Sequence, residues 1–258
     1  MDYELHDRAA IVTGGGAGIG EAVARTLAAS GAAVLVADIH APSARGVADS
    51  IAVRGARAEP FEVDVTDPDA VDAMVAACLD AFGGLDIAVN NAGIHGDPTN
   101  PPLADYPLEW WDRIIATNLS SVFYCLRSEA RAMRAAGGGA IVNTASIFGV
   151  VAAAGVSGYI AAKHGVVGLT KAAALDHAPD GIRVNAVGPG FIQTGLVERN
   201  IPEAARPAVA ALHALDRLGE PQEVAELVAW LCSDAASFTT GNYYAVEGGL
   251  LAQGARMG

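Results

Sequence analysis

Charge is scarce in this chain of 258 residues: only 17% are Asp, Glu, Lys or Arg. With 52% hydrophobic residues, the chain can bury a large core and gives little sign of disorder. Positive charge is scarcer still, with 16 Lys and Arg against 29 Asp and Glu. The resulting net charge of -13 opposes nonspecific nucleic-acid binding and says little about fold. Cysteine is sparse as well. Cys78, Cys125 and Cys232 lie far apart with no C-x-x-C, which argues for reduced, buried thiols in a cytoplasmic protein. Long apolar runs are missing. Uncharged stretches are broken by Gly, Asn, Pro or Ser into strand-sized pieces, so none reads as a membrane span. The N-terminus, M-D-Y-E-L-H-D, has no basic region followed by an apolar core, so no secretory signal is expected. No His, Cys, Asp and Glu cluster has zinc spacing, and no metal is expected. No carboxylate pair suggests glycosidase chemistry.

What is present is a regular alternation. Ala9 to Thr13 is a short apolar run with β-branched residues. Gly14-Gly15-Gly16-Ala17-Gly18-Ile19-Gly20 follows, then a helical pattern through Ala29. Strand, glycine loop and helix form the phosphate-binding start of a doubly wound sheet. Glycines let the backbone approach a pyrophosphate, and the helix N-terminus offers free N–H groups. The spacing is T-G-x-x-x-G-x-G rather than G-x-G-x-x-G, and a flexible turn is the plain alternative. A second strand, Ala33 to Ala37, ends at Asp38. That acid suits an adenosine ribose and repels a 2′-phosphate, so NAD is expected over NADP. Its bland alternative is to cap the next helix. Arg45 is near in sequence, so NADP is disfavoured rather than excluded.

Further units follow. Pro42 to Arg54 reads as helix and Ala58 to Val63 as strand, with Asp64 and Val65 at its end, where an adenine fits. Asp67-Pro68 caps a helix that runs to Phe82. Leu85 to Val89 is a fourth strand ending in Asn90-Asn91-Ala92-Gly93, small and amide residues suited to close contact with a ligand or to an ordinary turn. One long helix is expected from about Leu108 to Ala136. Asn118 sits in its middle, a poor helix position that either bends the helix around a water or faces solvent. A fifth strand leads to Ser146, and a helix carrying Tyr159 runs to about Ala178. Ile182 to Val187 is a sixth strand, Pro221 to Cys232 a helix, and Tyr243 to Val246 a last strand before Glu247-Gly248-Gly249 and a frayed tail. Residues 191–218 mix helix formers with Pro202 and Pro207, as a substrate lid or a plain surface helical pair would. There is no repeat or linker. Alternating βα units throughout 1–258 predict one domain with a parallel sheet and helices on both faces.

The chemistry concentrates between Ser146 and Lys163. Tyr159 and Lys163 are four apart, so on a helix they share a face. An ammonium beside a phenol favours the phenolate, which suits proton exchange with an alcohol or ketone. Ser146, at a strand end, can hold the reacting oxygen. An exposed helical pair is the bland alternative for Tyr159 and Lys163.

Joint order and spacing then carry a resemblance. The pieces are T-G-G-G-A-G-I-G at 13–20, D-V at 64–65, N-N-A-G at 90–93, Asn118, Ser146, Y-I-A-A-K at 159–163 and P-G-F-I-Q-T at 189–194. The chain resembles the short-chain dehydrogenase/reductase family over nearly its whole length. The resemblance implies a Rossmann fold with a parallel sheet of about seven strands. It implies a catalytic set of Asn118, Ser146, Tyr159 and Lys163. Tyr159 would be the general acid/base, Ser146 would steady the substrate oxygen, and Lys163 would lower the Tyr159 pKa and hold the nicotinamide ribose. Asn118 would anchor a proton-relaying water. Gly14, Gly18, Ile19 and Gly20 would surround the pyrophosphate and Asp38 the adenosine ribose. Asp64 and Val65 would flank the adenine. Asn91, Ala92, Gly93 and Pro189 would also contact the cofactor, with Ile192 and Thr194 orienting the carboxamide. Gly158 and Gly188 depart from many relatives without touching a catalytic role.

Substrate walls are expected from 147–156, from His95 and from 191–212, with His95, Ile147, Phe191 and Gln193 in the pocket. Mostly apolar walls suit a hydrophobic or cyclic secondary alcohol or ketone. A 3-oxoacyl thioester reductase is the alternative; it would use Arg127, Arg131 and Arg134, which otherwise read as a solvated helix face. A non-catalytic dinucleotide-binding protein ranks last, because all four catalytic residue types are kept. The resemblance also implies a homotetramer, and apolar residues on several faces of the two long helices fit one.

Overall fold

The computed structural model describes residues 3–253. Seven strands form one sheet in the order β3-β2-β1-β4-β5-β6-β7. They are β1 (Ala9–Thr13), β2 (Ala33–Asp38), β3 (Ala58–Glu62), β4 (Ile87–Asn90), β5 (Gly139–Thr144), β6 (Ile182–Pro189) and β7 (Tyr243–Val246). Every pairing is parallel. The helices are α1 (Gly18–Ala29), α2 (Ala41–Ala52), α3 (Pro68–Phe82), α4 (Leu108–Ile115), α5 (Ser121–Ala136), α6 (Ser157–His177), α7 (Gly195–Asn200), α8 (Arg206–Ala210) and α9 (Pro221–Cys232). Residues 254–258 of the expected tail lie outside the described residues.

Period-two strands split their side chains between two cores. Val12, Val34 and Val36 join α1, α2 and α9 on one face. Ile11, Leu35 and Ala37 join α3, α5 and α6 on the other. Strands buried on both faces need apolar residues at every position, which is why they read as continuous runs. Each such fully buried Val or Ile stabilises the fold by roughly 1.5–3 kcal/mol. The strand order reverses between β1 and β4, which opens a crevice at their carboxyl ends.

Two expectations change. The single long helix over 108–136 is interrupted: a π-turn at Ala116–Ser120 separates α4 from α5 and carries Asn118. Asn118 is fully buried and takes the wider turn to reach Ile94. The expected strand-to-lid segment is tied at its base. Ile192 bridges Gly219, the Gln193 N–H donates to the Gly219 carbonyl at 2.8 Å and the Gly219 N–H to the Phe191 carbonyl at 3.0 Å. Between these ends lie only the short helices α7 and α8 and turns. No helix among the described residues is long and apolar enough to cross a membrane.

One polar cluster lies inside the α5–α6 face. Asn90 donates through Nδ2 to Glu129 Oε2 and Asn143 Oδ1, both at 3.0 Å, and Asn143 donates to Thr170 at 3.0 Å. Burial pushes the Glu129 carboxyl up from 4.5 to about 7, with Asn90 pulling it back. A carboxyl raised on folding is penalised when charged, so stability is full below the unfolded pKa and falls as pH rises through the interval up to about 7. Glu129→Gln is expected to remove this dependence. Thermal unfolding followed from about pH 5 to about pH 9 checks it; equal pH slopes for the two proteins would refute it.

Candidate active site

The glycine loop is shaped by backbone demands. Gly14 and Gly18 adopt φ of 61° and 57°, where other residues are strained. A Cβ on Gly20 would collide with the Gly14 carbonyl. The α1 N-cap, Ala17, makes no side-chain cap, so among the described residues no side chain claims the first-turn N–H groups. Thr13 locks this loop to the end of β4. Its Oγ1 accepts from the Asn91 N–H at 3.0 Å and the Ala92 N–H at 3.2 Å. The Asn91 amide donates to the Thr13 and Gly14 carbonyls at 3.2 and 3.3 Å. Asn91 thus braces the loop with its side chain.

A cleft of about 860 Å³ runs along the carboxyl ends of the strands. It is lined by Gly14, Gly18, Ile19, Asp38, Asp64, Val65, Asn91, Ala92, Gly93, Ser146, Tyr159, Lys163, Pro189, Ile192 and Thr194. Gly20 lies just behind the wall, packed on Gly14. Asp38 caps no helix side chain; its carboxylate accepts from the Gly16 N–H and the His40 N–H, each at 2.9 Å. Asp64 spends one oxygen on the Thr66 N–H and hydroxyl, at 2.9 and 2.7 Å. Arg45 is exposed and outside the cleft lining. Arg113 and Arg199, which sequence reasoning missed, do line it.

At the other end, Lys163 is buried to 4% exposure and donates through Nζ to the Thr144 carbonyl at 2.8 Å. Burial lowers its pKa to about 8. Its Nζ stands 5.6 Å from the Tyr159 ring centre. Two influences oppose one another at the Tyr159 phenol. Burial raises the phenol, and the hydrogen bond from Ser146 is what lowers it. Lys163 gives one of its three ammonium protons to the Thr144 carbonyl, which leaves two for other partners in the site. The Ser146 hydroxyl accepts from the Phe148 N–H at 3.2 Å, which leaves its own proton free to turn toward the cleft. Asn118 clamps Ile94 from both sides: Ile94 N–H to Oδ1 and Nδ2 to the Ile94 carbonyl, each at 2.8 Å. A Cβ on Gly93 would lie 3.3 Å from Asn118 Oδ1 and 3.8 Å from Lys163 Nζ, so only a bare backbone passes between them.

The pocket residues divide. His95 lies against Tyr159 with ring centres 5.8 Å apart, its Nδ1 buried without a partner and its pKa lowered by burial. Phe191 reaches Tyr159 through Phe148, in edge contacts of 6.5 and 6.3 Å. Ile147 does not face the cleft: it follows Ser146 into the interior and is 2% exposed. Gln193 is exposed, because Ile192 turns inward at the Gly219 bridge and its neighbour must turn outward. Phe148 and His213 were not singled out. Buried His213 holds Phe191 in place, accepting the Phe191 N–H at Nε2 (3.4 Å) while its ring meets Phe191 edge-on at 5.8 Å.

Known proteins are similar to this chain. Residues 14–251 match the family model described as enoyl-(acyl carrier protein) reductase. Cyclohexanol dehydrogenase of Acinetobacter sp. (strain SE19) is 45% identical over 248 residues, 96% of each chain. The chain belongs to the short-chain dehydrogenase/reductase family. Another relative, cis-4-hydroxycyclohexanecarboxylate dehydrogenase of Sinomonas cyclohexanicum, is 46% identical over 98% of this chain and all of its own. The crystal structure of a short-chain type dehydrogenase/reductase from Mycobacterium marinum matches with a TM-score of 0.92 at 40% identity, covering 97% of this chain and 98% of that one. Short-chain dehydrogenases use a nicotinamide dinucleotide. The cleft fits one: uncapped α1 N–H groups and bare glycines at one point, and an acidic strand end beside it.

Asn118→Leu should strand the Ile94 N–H and carbonyl. A loss of about 1–3 kcal/mol is expected, together with lower turnover. Urea unfolding checks the first; an unchanged midpoint would show that the clamp carries no load.

Proposed function

We propose that this protein is an NAD-dependent secondary-alcohol dehydrogenase, interconverting an apolar, cyclic alcohol and its ketone. The observation that carries this is the meeting of Tyr159, Ser146 and Lys163 under an apolar wall of Phe148 and Phe191. The cyclic substrates in the names of two relatives support the ring. The bound dinucleotide would accept or return the hydride. Tyr159 would take the alcohol proton, or return it to the ketone. Ser146 would donate to the same oxygen and steady its negative charge. Lys163, already fixed on Thr144, would lend positive charge beneath the phenol and bind the nicotinamide ribose. Asn118 would keep the Ile94 turn in place and anchor the water that passes the proton outward.

Asp38 supports NAD. Its carboxylate lies at the cleft edge and is met by two backbone N–H groups, so a 2′-phosphate would meet negative charge. The cleft lining supports the other proposed cofactor contacts between Gly14 and Thr194. The acyl-thioester alternative has less support: Arg127 already pairs with Asp72 at 3.3 Å on the surface. We further read the chain as one domain, cytoplasmic in view of its three buried free cysteines, and a homotetramer. Phe123 on α5, at 49% exposure, and an open β7 edge support the assembly. Light scattering at micromolar concentration tests it; a monomer mass would contradict it.

Tyr159→Phe is expected to reduce turnover of a cyclohexanol-type alcohol by at least about a hundredfold while dinucleotide binding persists. Wild-type oxidation should rise with pH toward the Tyr159 pKa, because the base must first lose its proton. Nicotinamide absorbance with NAD and NADP side by side should show NAD preferred. Equal turnover by the variant would end the acid/base assignment, and NADP preference would end the reading of Asp38.

A further inference from the structure

Tyr243 comes from the edge strand β7, yet its hydroxyl donates to the carbonyl of Ser146, beyond β5, at 3.0 Å. The strand between them is β6. Tyr243 pairs in register with Ala186, so its side chain stands on the same face as Ala186 and Gly188. The ring passes directly over Gly188. A Cβ there would lie 2.0 Å from the Tyr243 oxygen and 2.2 Å from the ring carbon that bears it. Nothing but glycine at 188 admits the tyrosine in this position. The Gly188 departure noted in the sequence therefore has a partner, fifty-five residues away.

The Ser146 carbonyl receives two donors: the Tyr243 hydroxyl and the Gly149 N–H at 2.8 Å. The Ser146 side chain receives a third, from the Phe148 N–H at 3.2 Å. Two of these bonds belong to the local turn and fix its shape. The Ala145 N–H ties the start of that turn to the Val187 carbonyl of β6 at 2.8 Å, and the Tyr243 bond ties the Ser146 peptide itself to the edge strand β7, which fixes how the Ser146 residue is turned toward Tyr159.

We propose that Tyr243 is a positioning residue for the reaction: its hydroxyl, passing over bare Gly188, holds the Ser146 peptide so that the serine hydroxyl meets Tyr159 and the substrate oxygen. This rests on the alcohol dehydrogenase reading for its kinetic consequence, but not for its geometry. Tyr243 suits a permanent donor, since burial and Glu247 push its pKa up to about 12 and it stays protonated. The ionisable groups that face Tyr159 are Lys163, from the same helix, and His95, from the loop after β4. Neither is touched by a change at 243.

The test is Tyr243→Phe, which removes one oxygen and keeps the ring. Turnover of a cyclic secondary alcohol should fall about threefold to tenfold, the loss of one hydrogen bond, with KM for NAD unchanged. The pH at half-maximal oxidation should move upward, because a displaced Ser146 no longer lowers the Tyr159 pKa. A purely structural role would lower the melting temperature and leave that pH midpoint in place. An ultraviolet titration needs no turnover: subtracting the same protein bearing Tyr159→Phe isolates the Tyr159 phenol. Its pKa should be higher in Tyr243→Phe than in wild type. Gly188→Ala, which expels the ring, should raise it in the same direction. An unchanged Tyr159 titration in Tyr243→Phe overturns the proposal. If wild type turns over no alcohol, the proposed function fails, while the titration still decides the role of Tyr243.

Discussion

The bond from Lys163 to the Thr144 carbonyl organises the site. A lysine at 4% exposure is costly unless its ammonium is paired or hydrogen-bonded. Here it is satisfied by the last residue of a central strand, at 2.8 Å. That bond joins α6 to β5 at one point. One turn back along α6 is Tyr159; two residues on from Thr144 is Ser146. Both side chains are thus placed by a contact that neither makes. The same burial lowers the Lys163 pKa to about 8, so its positive charge is maintained by local geometry and by whatever anionic or polar group fills the cleft.

Fold was legible because each unit stated its own case. β1 and β2 are apolar up to their last residues, Thr13 and Asp38, as a strand covered on both faces requires. Asp67-Pro68 caps and opens α3, with the Asp67 side chain accepting the Asp69 N–H at 2.9 Å. The strand-by-strand alternation then left one sheet direction to choose. The break in the 108–136 helix was not legible. A π-turn has no distinct residue pattern; its cause is the long-range clamp from Asn118 to Ile94, and only the oddness of a mid-helix asparagine hinted at it.

The site divides the same way. Residues fixed by short-range rules were found: Tyr159 and Lys163 by helix spacing, Ser146 by the strand end, Gly14 and Gly18 by the loop. Ile147 and Gln193 were placed in the pocket by proximity to functional neighbours; the turn after Ser146 carries Ile147 into the interior, and the Ile192 bridge turns Gln193 outward. Phe148 was read only as part of the 147–156 wall and His213 only as a packing or surface residue, because their particular contacts depend on rings brought together from different segments. Asn91 was read as a ligand contact, and it is a cleft residue, but its amide is spent on Thr13 and Gly14.

The aromatic path explains how the tied segment over 193–218 can matter to Tyr159 without touching it. His213 fixes Phe191; Phe191 meets Phe148; Phe148 meets Tyr159. Each contact is edge-to-face, between 5.8 and 6.5 Å, a favoured arrangement for isolated ring pairs. The His213 ring accepts the Phe191 N–H and, in the matching tautomer, donates from Nδ1 to the Ala210 carbonyl at 3.2 Å. That tautomer is neutral, and the ring is 3% exposed. Any change in the segment that moves Ala210 therefore moves His213, and with it the ring that borders the reacting oxygen. The segment over 193–218 thus shapes the cleft wall beside Tyr159 from the surface, while Tyr159, Ser146 and Lys163 stay anchored to the sheet.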